Sequence, residues 1–93
     1  MTTIFVESSN QQIDAILAGA ANGNLAVVRA QSHSLKSASS HVGADSLAQL
    51  LVEIERAANA SDATRVAILT NGLRTARTLA VDALQAELAR RRA

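Results

Sequence analysis

Apolar residues return every three or four positions through four stretches of this chain, and nowhere do apolar and polar residues alternate. Positions i, i+3, i+4 and i+7 share one face of an α-helix, whereas strict alternation marks a strand. The pattern predicts an all-α fold. The first stretch, residues 3–21, carries Phe5, Ile13, Ile16, Leu17 and Ala20 on one face. Ser8, Ser9 and Asn10 weaken its middle, because short polar side chains compete for backbone hydrogen bonds, and they offer a later start near Ser9. The second stretch, residues 25–42, has the stripe Leu25, Val28, Ser32, Leu35, Ser39 and Val42. Its two small polar members let a neighbouring helix come close. The third, residues 46–59, carries Leu47, Leu50, Leu51, Ile54 and Ala58 behind an expected N-cap at Asp45. The fourth, residues 62–91, keeps Val66, Leu69, Leu73, Ala76, Ala80, Ala83 and Leu84 in phase. That phase continues across Asn71-Gly72, so one continuous helix with a weak spot is expected there.

Gly23 reads as a helix stop, Asn24 as the next N-cap, and Asp62 or Ser61 as the cap of the last stretch. Connections this short force neighbouring helices to run antiparallel. The expected architecture is an antiparallel up-down-up-down four-helix bundle, one domain over residues 1–93. Absence of proline and a scarcity of glycine agree with it.

Composition excludes several classes. No run of about 18 apolar residues exists, so no membrane span or membrane partner is expected. The first residues lack a basic flank and do not read as a signal peptide. With no cysteine there is no disulfide framework or thiolate metal site, and a cytoplasmic location is expected. Arg90, Arg91 and Arg92 complement the negative end of a final helix. A nucleic-acid partner is not expected, since Phe5 is the only aromatic residue on which a base could stack.

One polar face stands out. His33 projects roughly 130° away from the centre of the second stripe, with Arg29, Lys36, Ser37 and Ser40 within about 60° of it. Lys36 stands beside the imidazole. Helical side chains lean toward the N-terminus, so a large residue at position 37 would roof the ring, and Ser37 leaves it open. An uncovered imidazole beside a cation can hold a phosphoryl group. His41, more than two turns from His33 and rotated by about 80°, cannot share a metal ion with it and reads as a surface residue. No metal site is expected.

His33, Leu35, Lys36, Ser39, Val42, Gly43, Ala44, Leu47, Leu50, Leu51, Ile54 and Glu55 follow one another at fixed spacing without a gap. In this the chain resembles the histidine-containing phosphotransfer (HPt) domain of multistep two-component signalling. Two features depart from that pattern. The usual glycine after the lysine is Ser37, the next most permissive choice by size, and the histidine comes early in the chain. The resemblance implies a phosphorelay carrier rather than an enzyme. His33 would take a phosphoryl group on Nε2 from the aspartyl phosphate of a response-regulator receiver domain and pass it to a second receiver. The resemblance also admits a sensor hybrid kinase, which would be a further partner. Lys36 would face the phosphoryl group, and Arg29, Ala30 and Ser40 would form the docking face. The chain itself would bind no cofactor, the Mg²⁺ belonging to the receiver. Glu55 is read as a solvated carboxylate with no chemistry. The rival reading is a helical interaction module that docks a receiver or kinase without being phosphorylated.

Overall fold

The structure, a computed structural model, describes the backbone of residues 2–92 and the side chains of residues 7–90. Five helices follow one another: α1 (Thr2–Asn22), α2 (Leu25–His41), α3 (Asp45–Asn59), α4 (Ala63–Thr70) and α5 (Leu73–Arg92). There is no strand among the described residues.

Side-chain contacts between successive helices are nested about their turns. Gly19 lies against Val27 and Val28, and farther from the same turn Gln12 Nε2 donates to Ser34 Oγ at 2.9 Å. Glu55 likewise reaches back to His33 and Lys36, and Glu53 to Arg65. Asp14 meets Arg74 while Ser9 meets Arg77. Contacts that move apart in opposite directions along two helices mean that the helices run antiparallel. The chain therefore goes up, down, up and down, with α4 and α5 together forming the last leg.

That last leg corrects the sequence expectation of one continuous helix. The chain leaves regular helix at Asn71-Gly72, where Gly72 N–H bonds the Leu69 carbonyl three residues back at 3.4 Å. Glycine in a helix interior costs about 1 kcal/mol relative to alanine, and asparagine offers competing local bonds. Leu73 is buried as the stripe expects, Val81 is buried although it lies outside the stripe, and Ala83, expected within it, is exposed.

Two other local readings change. Asp45 is the first residue of α3 and not its cap; Ala44 occupies the cap position without a side-chain bond. A carboxylate in the first turn still favours the helix through the partial positive charge there. Ser8, Ser9 and Asn10 neither interrupt α1 nor start it; the buried Ser9 hydroxyl accepts from Arg77 Nε at 3.0 Å. Asn24 and Asp62 do cap α2 and α4, accepting from the backbone of Val27 and Arg65. The expected place of Phe5 on the inner face of α1 lies outside the described side chains, as do the side chains of Arg91 and Arg92.

The core is aliphatic. Ile13, Ile16, Val28, Leu35, Leu47, Leu51, Ile54, Val66 and Leu73 are fully buried. Each contributes roughly 1.5–3 kcal/mol on burial. The turn after α2 is sharp, with Gly43 at φ +82° and Ala44 N–H bonding the Ser39 carbonyl at 2.8 Å. Only glycine adopts that backbone without steric cost, and the turn sets α3 directly back along α2.

Candidate functional site

The α2–α3 pair brings three ionisable side chains together. Leu35 and Ile54 fill the seam between the two helices, and the next residue on each, Lys36 and Glu55, stands at its edge. Glu55 Oε1 accepts from Lys36 Nζ at 3.1 Å. Glu55 Oε2 lies 3.0 Å from His33 Nδ1. The side chains differ in exposure: His33 is 64% exposed, Lys36 29% and Glu55 19%. The carboxylate is thus the inner member, and the imidazole stands over it in water.

This arrangement decides the state of each group. Partial burial pushes the Glu55 carboxyl upward. Hydrogen bonds from Lys36 and His33, and the charges of both, outweigh that and hold it below the ordinary carboxylate value. An ionised carboxylate only accepts, so His33 Nδ1 carries a hydrogen and donates it. In the neutral ring the lone pair then sits on Nε2. No described side chain bonds Nε2, and the two nitrogens point to opposite sides of the ring. The site therefore offers a nitrogen nucleophile of fixed tautomer on the outside of a helical bundle. A groove of about 600 Å³ lies elsewhere, between the α2–α3 turn and α5, and is lined by none of the three residues.

A comparison with models of known families matches residues 1–93, the whole chain, to the Hpt domain. The chain belongs to the Hpt domain family. No curated protein and no solved structure matches it. Hpt domains are helical bundles and phosphotransfer carriers of two-component signalling, working with receiver domains and kinases in phosphorelays. Among the described residues no helix of this Hpt domain is long and apolar enough to cross a membrane. Nor does any group of three or more histidine, cysteine or acidic side chains among them stand ready for a metal ion.

The remaining residues singled out from the sequence fall on one helix. Arg29, Ala30, Ser37 and Ser40 are all exposed on α2. Arg29 makes no hydrogen bond or ion pair with any described residue. The Ser37 hydroxyl donates to the His33 carbonyl at 3.3 Å, so it turns to its own helix and leaves the ring uncovered. His41 is exposed in the last turn of α2 without a partner among the described residues.

Glu55 is the member of this candidate site that sequence reasoning left without a role. Its position at the end of the fixed-spacing pattern was a signal. Its partnership with His33 and Lys36 depends on how α3 lies against α2, which no spacing within one helix reveals.

Proposed function

We propose that this Hpt domain is a phosphorelay carrier in which His33 Nε2 takes the phosphoryl group from a receiver-domain aspartyl phosphate and hands it to another receiver. The observation that supports this most is the bond from His33 Nδ1 to Glu55, which leaves Nε2 bare and outward. In the forward step the Nε2 lone pair attacks phosphorus. An N–P bond forms and the acyl O–P bond breaks, its electron pair staying on the receiver's aspartate. The ring acquires a positive charge, which the Glu55 carboxylate faces through the Nδ1–H. No proton has to move, so no general base is needed.

Phosphoryl transfer of this kind is governed by positioning and charge neutralisation. The receiver supplies its aspartate and Mg²⁺, and this chain supplies the nucleophile. Lys36 holds the inner carboxylate ionised and in place. Ser37 keeps the approach to the ring free. Ala30 and Ser40, small and exposed around His33, suit a close transient interface on a convex surface. The setting of such a relay is the cytoplasm.

The test is to mix the protein with a phosphorylated receiver and map the label. Acid-labile, base-stable label is expected on the wild type and on His41→Ala, and none on His33→Gln. Label retained on His33→Gln would overturn the reading, as would uptake that is lost in His41→Ala.

A further inference from the structure

We propose that Arg29, and not Lys36, is the side chain of this domain that closes on the phosphoryl group once His33 carries it. The inference rests on His33 as the acceptor and identifies the cation that serves it. Lys36 is the obvious candidate by sequence, but its ammonium is bound to Glu55 Oε1 at 3.1 Å. Glu55 Oε2 holds the Nδ1 edge of the His33 ring. A phosphorus on Nε2 projects from the other edge, away from Glu55 and from the ammonium tied to it. Moving Lys36 across would strip a partly buried carboxylate of one of its two partners, which costs free energy.

Arg29 has neither constraint. It lies four residues before His33, so the two share a face of α2 with Cβ atoms about 5–6 Å apart. Helical side chains lean toward the N-terminus, which carries the His33 ring back over the turn that holds Arg29 and Ala30. Ala30 is small and leaves that space open. Arg29 is exposed and engages no described residue, so nothing must be broken before it moves. A guanidinium also matches phosphate oxygens two at a time, which an ammonium does not. The other exposed cation nearby in sequence to the site, Arg56, is directed at Glu53 at 3.8 Å. The phosphoryl group adds negative charge to a site that already holds the Glu55 carboxylate, and a guanidinium beside the phosphoryl oxygens offsets that.

The experiment uses the full chain carrying His41→Ala, so that one histidine remains, and phosphorylates it with phosphoramidate. The ³¹P signal of the phosphohistidine is then followed against pH in that background and with Arg29→Gln, Arg29→Lys and Lys36→Gln added. Arg29→Gln should move the phosphoryl titration midpoint upward by about 0.2–0.7 pH unit, the span expected when an exposed charge pair is lost. Arg29→Lys should recover part of that shift, and Lys36→Gln should move the midpoint less than Arg29→Gln does. Circular dichroism of the Arg29 variants should match the parent, since the side chain is exposed and bonds no described residue. A midpoint unmoved by Arg29→Gln, or moved more by Lys36→Gln, overturns the proposal. Transfer from a phosphorylated receiver to His33, measured on the same samples, separates this failure from failure of the carrier reading. If transfer proceeds and the Arg29 midpoint is unmoved, only the role of Arg29 falls.

Discussion

His33 and His41 stand on the same helix eight residues apart, and both rings face water. Around His33 a carboxylate from α3 takes the Nδ1 hydrogen at 3.0 Å, and an ammonium steadies that carboxylate from its other side. Around His41, in the last turn, no described side chain does anything comparable. Exposure is therefore common to both and does not distinguish them. What differs is a neighbour across a helix–helix seam that selects one tautomer and leaves the other nitrogen bare. On the proposed reading, packing beneath a surface histidine is what fits it to act as a nucleophile, which ties the chemistry to the core.

The comparison can be broken at several levels. The most drastic is to remove the seam. Leu35 is fully buried beside Lys36, and Leu35→Asp would bury an unpaired charge there. Loss of more than about 4 kcal/mol is expected, enough to unfold a domain of this size. Thermal melts by circular dichroism should show no cooperative transition, and a folded Leu35→Asp protein would contradict the packing described here.

Next comes the neighbour itself. Glu55→Ala leaves His33 as unassisted as His41, and transfer from a receiver should slow roughly 10- to 100-fold, the size of a lost charge-assisted hydrogen bond. Stopped label-transfer assays read this directly, and an unchanged rate would mean that the clamp is structural only. Ser37→Phe attacks access instead of chemistry. It should slow transfer from a receiver by at least about tenfold, the result of losing a contact worth some 1.4 kcal/mol. The melting temperature should barely change, since residue 37 is exposed.

Acid exposes the clamp in a gentler way. The Glu55 carboxyl sits below its ordinary value of 4.5 in the folded protein, so the unfolded chain binds a proton there more readily. The contribution of the clamp is complete above about pH 4.5 and disappears as the pH falls through the lowered value. Denaturation midpoints of the wild type should fall across that acidic range, and those of Glu55→Gln should fall less. The smallest effect concerns the inner face of α2. Ser32 and Ser39 bury hydroxyls that find no partner among the described residues. Ser39→Ala should stabilise the domain by about 1 kcal/mol in urea unfolding, leaving both histidines as they were.

The stripes of α1, α2 and α3 were legible because each is a run of aliphatic residues at helical spacing, and Ile13, Ile16, Val28, Leu35, Leu47, Leu51 and Ile54 are buried as that spacing requires. The caps at Asn24 and Asp62 were legible because their chemistry is local. Asn71-Gly72 was visible as a weak spot, but a phase-preserving stripe cannot tell a strained helix from two helices. At the site, His33, Lys36 and Ser37 were visible because one helix carries all three. Glu55 belongs to a second helix, and its meeting with them is a matter of register between helices. The same is true of Lys36, whose tie to Glu55 sequence alone does not show.

The most direct test reads the tautomer. In a ¹⁵N-labelled sample at about pH 8, where an ordinary imidazole is neutral, multiple-bond ¹H–¹⁵N spectra should show His33 with a protonated Nδ1 and a bare Nε2. His41 should show the averaged pattern of an imidazole that no carboxylate holds. A His33 ring protonated on Nε2 and bare on Nδ1 would contradict the account, because the nitrogen said to await the phosphoryl group would then have no lone pair to offer.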